Sequence, residues 1–170
     1  IIGIRTPSRV ANAFDDFIYV VYKDDDNNWV EKKYRCTTQP GTYWLNNPSR
    51  VSGTAILVGN AQYRGVYKLA LHQGKYKALC QRGGPVKVYR DSNRDNILDQ
   101  EPETVTSGYF GINIHRATSS GESVHVNKWS AGCQVIANSE DYKEFIWLCE
   151  KSAELYGNSF TYTLLEETEY

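Results

Sequence analysis

The chain lacks methionine altogether, and its 170 residues begin Ile1-Ile2-Gly3. We therefore expect that residue 1 is not the natural start and that a targeting segment or a further domain is missing. No basic and then apolar leader opens the sequence, so no signal peptide is visible. No apolar run approaches the roughly 20 residues that span a bilayer. The longest, Phe17–Tyr22, has the length of a strand, so we expect no membrane span.

Excess charge is also lacking. The net charge is −1 and the isoelectric point is near 6.4, which provides no field to attract nucleic acid. We expect no nucleic-acid partner. The sequence leaves the oligomeric state open.

Metal-binding cysteine patterns are absent as well. The four cysteines (Cys36, Cys80, Cys133 and Cys149) form no C-x-x-C pair, and there is neither zinc-ribbon spacing nor an H-E-x-x-H sequence. Cys149 falls on the apolar face of a predicted helix, where it acts as a small buried hydrophobe. A Cys36–Cys80 disulfide stays open, although nothing in the sequence argues for it.

Aromatic residues are abundant, with 13 tyrosines and 4 tryptophans, and they favour strands. Acidic and Asn residues at 24–28 predict a hairpin turn. A helix begins at Ser139 or Asn138, follows a 3.6-residue apolar stripe and ends at Gly157. We expect residues 1–170 to form a single, mainly β domain with this one late helix. Strands are predicted at 17–23, 29–37, 55–58, 65–71, 76–79, 86–89, 111–115, 124–126, 135–136 and 160–164.

The segment from His115 to Cys133 carries the strongest chemical signal. Cys133 closes a Ser130-Ala131-Gly132-Cys133 turn, and His115 lies 18 positions upstream, a spacing that lets neighbouring strands carry both. A cysteine becomes a strong nucleophile when an imidazole accepts its proton. The small residues allow a tight turn whose N–H groups can hold an oxyanion, and Ser130 can fix that turn by hydrogen bonding.

Two other histidines are weaker candidates. His125 alternates with two valines and is the reserve choice for the base or for a substrate contact. His72 falls in Leu-His-Gln-Gly, which is typical of a turn, and we give it no role.

His115, fourteen residues and then Ser-x-Gly-Cys resembles the L,D-transpeptidase catalytic domain, whose signature is His, fourteen to seventeen residues and Ser/Thr-His-Gly-Cys. The match covers residues 111–136. It implies a β-sandwich-like catalytic fold acting at the cell wall (periplasmic, extracellular or phage-delivered), with peptidoglycan peptides as substrate. It also implies that Cys133 is the nucleophile, His115 the base, Ser130 the turn-fixing residue, and that the Gly132 and Cys133 N–H groups form the oxyanion site. No cofactor is required for this catalysis.

Two positions depart from that family's pattern. Ala131 replaces its second histidine, and Gln134 stands where a hydrophobic residue is usual. Because no cation follows the cysteine closely, Arg116 or Arg64 is our candidate for binding the carboxylate of the leaving residue. Gln134 is a further candidate substrate contact. These departures keep a hydrolytic member open, namely a carboxypeptidase or endopeptidase such as a phage or secreted wall-degrading enzyme.

A second pattern runs through the acidic loop 91–103. Oxygen ligands at loop positions 1, 3, 5 and 9, with a backbone carbonyl at position 7, suit Ca²⁺. The loop resembles an EF-hand or dockerin calcium loop with Asn96 at the glycine position, but Pro102 stands at position 12. We keep two interpretations: the loop binds a structural Ca²⁺ that rigidifies it, or it is a solvated acidic turn. The candidate ligands are Asp91, Asn93, Asp95, the carbonyl of Ile97, and Asp99.

Two alternatives to cysteine chemistry remain at this point. A zinc peptidase would use His115, His125 and Cys133, although no ligand pair supports it. A non-catalytic wall-binding module would keep the fold with a decayed site, and its case rests on Ala131, Gln134 and the many aromatic residues.

Overall fold

The structure, a computed structural model, describes residues 1–8 and 10–168. It is mainly β with one long late helix, as the sequence predicts. Two helices, α1 (Thr42–Asn46) and α2 (Ser139–Tyr156), and a 3-10 turn at Pro102–Thr104 accompany the strands. The strands are β1 Ile2–Arg5, β2 Asp16–Lys23, β3 Trp29–Thr37, β4 Thr54–Leu57, β5 Ala61–His72, β6 Tyr76–Gln81, β7 Val86–Asp91, β8 Thr106–Gly108, β9 Ile114–Arg116, β10 Gln134–Ile136 and β11 Phe160–Glu166.

Eight strands close into a barrel in the order β1-β11-β5-β6-β9-β10-β3-β2, and β4, β7 and β8 form a separate small sheet. The pairs β1–β11 and β9–β10 are parallel. The main core lies inside the barrel, where Tyr67, Leu79 and Ile114 are fully buried. The apolar stripe of α2 packs on this core through Phe145 and Cys149, so the helix covers the barrel instead of standing apart from it.

The predicted hairpin is confirmed. β2 and β3 pair antiparallel from Asp16 opposite Cys36 to Lys23 opposite Trp29. Asn27 takes a φ of +64° in the turn, and asparagine tolerates this left-handed backbone better than most residues. The carboxylate of Asp24 also accepts the N–H groups of residues 26 and 28, which stabilises the turn.

Asn138, not Ser139, caps the late helix. Its side-chain oxygen accepts the N–H groups of Glu140 at 2.8 Å and Asp141 at 3.3 Å. Ser139 becomes the first helical residue, and its buried hydroxyl has no hydrogen-bond partner among the described residues. Gly157 ends the helix with a φ of +87°.

Two local predictions differ from the structure, and residues 42–46, for which no element was predicted, form the short helix α1. Val124 and Val126 form no strand, because this segment makes only an isolated bridge between His125 and Ala13. The strand predicted at 111–115 begins only at Ile114.

A side chain takes the place of a strand partner before β9. Gln81 is buried, and its Oε1 accepts the N–H groups of Phe110 at 3.1 Å and Ile112 at 3.0 Å. Its Nε2 donates to the carbonyls of Gly84 and Gly108. This one amide therefore holds residues 108–112 in an irregular path, and β9 cannot start earlier.

All four cysteines are free thiols, so Cys36 and Cys80 are not paired. Within residues 1–8 and 10–168, neither helix combines the length and the apolar character needed to cross a membrane.

Candidate active site

Cys133 and His115 lie on adjacent parallel strands. Cys133 directly precedes β10, His115 lies in β9 opposite Val135, and the N–H of Gln134 donates to the carbonyl of Asn113 at 2.9 Å. Side chains alternate along a strand, so Cys133, Val135, Asn113 and His115 project to the same face. This is the placement on neighbouring strands that the spacing predicts.

The turn before Cys133 is fixed by Ser130. This buried hydroxyl donates to the carbonyl of Cys133 at 2.7 Å and accepts the N–H of Gly132 at 3.1 Å. Gly132 has a φ of +120°, and a Cβ there would lie 2.4 Å from the carbonyl oxygen of Ala55. Only glycine fits, because any side chain would collide with the β4 backbone.

The two N–H groups expected at an oxyanion site are not equivalent. That of Gly132 is engaged by Ser130, which removes it from the set of free donors. The N–H of Cys133 makes no hydrogen bond among the described residues. A developing oxyanion at this turn therefore has one unengaged backbone donor.

The thiol of Cys133 is held neutral by its surroundings. Its sulfur lies 3.4 Å from the carbonyl of Gly111, to which it donates, and 3.4 Å from the N–H of Asn113, which it accepts. Burial raises the pKa of Cys133 to about 11, and the N–H of Asn113 acts in the opposite direction. Cys133 is partly exposed, and it lines a small pocket.

His115 is buried and oriented by the backbone. Its Nδ1 lies 2.8 Å from the carbonyl of Arg116, which accepts the proton, so this bond assigns the tautomer that leaves Nε2 free to accept. Burial lowers the pKa of His115 to about 4, with a further contribution from His72. No hydrogen bond joins His115 to Cys133 in the part of the chain that the structure describes.

The sequence missed two neighbours of His115. His72 stacks on its ring with centroids 4.3 Å apart, and the hydroxyl of Tyr76 lies 3.4 Å from its Nδ1. Asn113 bonds the Nδ1 of His72 at 3.1 Å. Gln73-Gly74 was a usable signal, because a tight hairpin there sets His72 opposite Tyr76.

A small pocket of about 110 Å³ opens over Cys133. Arg50 and Arg90 line it together with Phe110 and Trp44, and none of these four was singled out in the sequence. Neither predicted arginine lines it. The guanidinium of Arg116 lies 4.3 Å above the ring of Tyr76, and Arg64 is exposed on β5.

Two other predicted contacts are corrected by their positions. Gln134 is fully buried, and its amide bonds the carbonyl of Gly132 at 3.3 Å and the hydroxyl of Tyr162 at 3.0 Å. It points into the barrel because β10 alternates, so it cannot touch a substrate. His125 is exposed and lies outside the pocket that Cys133 lines, so the three zinc ligands considered are not brought together.

A larger, open groove of about 820 Å³ lies beside α1. Tyr43 and Trp129 are exposed in it, and the amine of Lys128 lies 4.3 Å from the centre of the Tyr43 ring. The groove and the small pocket are neighbours, since Tyr43 lines the groove and the next residue, Trp44, lines the pocket.

The acidic loop folds on itself. Nδ2 of Asn93 donates to Asp95 at 3.0 Å and to Asp99 at 2.6 Å, and Asn96 takes the expected left-handed backbone with a φ of +66°. Asp91 is buried, and its Oδ1 has no partner among the described residues. No group of three or more His, Cys, Asp or Glu side chains within residues 1–8 and 10–168 is placed to hold a metal ion. The Ca²⁺ site stays a prediction.

No protein-family model, curated protein or solved structure matches this chain.

Proposed function

We propose that the chain is a cysteine-dependent acyl-transfer enzyme of the L,D-transpeptidase type that acts on peptidoglycan stem peptides. One observation carries the proposal. Cys133 opens onto a small pocket beside its own unengaged N–H, on the face that also bears His115 with a free Nε2. A thiol, a base and an oxyanion donor on one face are the groups that acyl transfer needs.

The proposed reaction has two steps. The sulfur of Cys133 attacks the carbonyl carbon at the L-centre of a diamino acid, and its proton passes to Nε2 of His115. The C–N bond then breaks, and the proton moves to the departing amine as the thioester forms. An amine (cross-linking) or water (hydrolysis) attacks the thioester and restores the thiol.

The resting pair is neutral on both sides. The pKa of Cys133 is about 11 and that of His115 is about 4, so the thiol and the imidazole are both uncharged at pH 7 in the free protein. A standing thiolate–imidazolium pair is therefore negligible. Proton transfer has to accompany S–C bond formation, when the charge moves to the carbonyl oxygen near the N–H of Cys133.

The same neutrality favours one alternative, a wall-binding module without turnover. A thiol with a pKa near 11 is a poor nucleophile at neutral pH. The aromatic groove at Tyr43 and Trp129 gives such a module a surface for a polymer.

The test is incubation with peptidoglycan fragments, followed by mass spectrometry of the products. We expect Cys133→Ala and His115→Ala to abolish turnover, while His125→Ala, a control at an exposed histidine outside the pocket, keeps it. New cross-links indicate transfer, and lost terminal residues or split bridges indicate hydrolysis.

Full turnover in both Cys133→Ala and His115→Ala would overturn the mechanism. Wall binding that survives Cys133→Ala, with no bond ever cut by the parent chain, would establish the binding module instead.

A further inference from the structure

Two arginines share one aromatic platform in the pocket of Cys133. The guanidinium carbons of Arg90 and Arg50 lie 4.5 Å and 5.9 Å from the ring centre of Phe110. Arginine stacks well on aromatic rings, and stacking leaves the N–H donors at the edge of the planar guanidinium free to bind a ligand beside the ring. Phe110 is itself positioned by its N–H bond to Gln81.

Neither guanidinium has an anionic partner. The ion pairs found within residues 1–8 and 10–168 involve neither arginine. Arg90 bonds only neutral acceptors, namely Thr106 at 3.2 Å and the carbonyl of Gly53 at 3.4 Å. Burial, and then the like charge of Arg50, lower the pKa of Arg90. An anion between the two side chains would relieve both costs.

The pocket limits what that anion can be. Its volume of about 110 Å³ corresponds to roughly four waters at ~30 Å³ each, which is room for a carboxylate with a short side chain. Cys133 and Ala131 line the same small pocket, so an anion held by the arginines shares that pocket with the thiol. Guanidinium groups bind carboxylates with paired hydrogen bonds.

We propose that Arg50 and Arg90 form the subsite for the terminal carboxylate of the residue that is removed from the donor peptide. This proposal rests on the proposed function. No cationic residue closely follows Cys133 in the sequence, and Arg50 and Arg90 would supply the positive charge from a distant part of the chain. The substrates it selects are peptides ending in a free, small amino acid.

The first experiment measures carboxylate recognition without any peptide turnover. Cys133 is alkylated with iodoacetate or with iodoacetamide at low salt, and peptide mapping by mass spectrometry follows this thiol alone. The rate with iodoacetate is divided by the rate with iodoacetamide, and the same ratio is measured for free cysteine. We expect the ratio for Cys133 to exceed that of free cysteine by about tenfold or more, because a charge-assisted hydrogen bond contributes about ten- to a hundredfold.

The matched variants are Arg50→Gln, Arg90→Gln and the control Arg64→Gln. Arg50 and Arg64 are both exposed, so loss of the ratio in Arg50→Gln but not in Arg64→Gln does not come from misfolding. A parent ratio equal to that of free cysteine, or one unchanged in both pocket variants, would overturn the subsite.

The second experiment compares stem peptides with a free terminal carboxylate and with a terminal amide. We expect the amide to lower kcat/KM by about ten- to a hundredfold in the parent, and Arg50→Gln to remove this preference. Equal cleavage of both peptides overturns the subsite and leaves the proposed function intact. A raised alkylation ratio without cleavage of either peptide retains the carboxylate site and overturns the function.

Discussion

Two buried serines provide a matched test of how the turn before Cys133 is held. Ser130 is fully buried and makes two hydrogen bonds, to the carbonyl of Cys133 at 2.7 Å and from the N–H of Gly132 at 3.1 Å. Ser139 is 2% exposed, but its hydroxyl has no partner among the described residues. The same change to alanine therefore removes two hydrogen bonds at one site and none at the other.

The two variants should change the free energy of unfolding in different ways. Ser130→Ala leaves a buried carbonyl and an N–H unsatisfied, at about 1–3 kcal/mol each before relaxation, so we expect a loss of about 2–4 kcal/mol. Ser139→Ala removes an unsatisfied hydroxyl from a helix, where alanine is also the better helix former. We expect it to be neutral or to stabilise the fold by up to about 1 kcal/mol.

Urea unfolding measures both values, and the Tm gives a second reading. A difference of about 3 kcal/mol corresponds to roughly 6–12 °C in a domain of this size. Alkylation of Cys133 should also be faster in Ser130→Ala, because the turn that positions Cys133 is loosened. If the two variants lose the same stability, the hydrogen bonds of Ser130 do not hold the turn and this reasoning is wrong.

Three further predictions follow from the site and the acidic loop. The pKa of His115 is about 4 in the folded chain and about 6.5 in the unfolded chain, so the unfolded chain takes up the proton first as the pH falls. We therefore expect the free energy of unfolding to fall by about 3 kcal/mol between pH 6.5 and pH 4. Urea unfolding of His115→Gln should not show this fall. The alkylation rate of Cys133 by iodoacetamide should rise about tenfold per pH unit from pH 7 to 10, because its pKa is about 11, and a plateau near pH 8.5 would contradict this. Calcium should raise the Tm of the parent but not of Asp95→Asn, and an equal rise in both would sink the calcium site.

The elements that the sequence predicts well are local ones. The β2–β3 hairpin and α2 each carry their signals within a few residues: turn-tolerant Asp and Asn in one, and a cap, an apolar stripe and a terminal glycine in the other. The neighbouring positions of His115 and Cys133 also follow from short spacing, since the two strands that carry them are close in the chain.

The parts that the sequence does not predict depend on distant pairing. Arg50 and Arg90 meet Cys133 only because β4 pairs with β7 and brings both segments to the turn. His72 reaches His115 because β6 joins β5 to β9. Gln134 looked like a substrate contact, but its direction is decided by the alternation of a three-residue strand, and its amide is satisfied inside the barrel.

The amide of Gln81 has a consequence for how this site can diversify. This single side chain holds a segment that contains three parts of the site. They are the ring of Phe110, the carbonyl of Gly111 that accepts a hydrogen bond from the thiol, and Ile112, which lines the pocket. Gly108 ends β8 and Ile112 is buried in the main core, so both ends of the segment are tied to the fold. Tyr109 and Phe110 between them belong to no strand, so their side chains can change without altering the register of the barrel, and they are the positions where the lining of the pocket can vary at least cost to the fold.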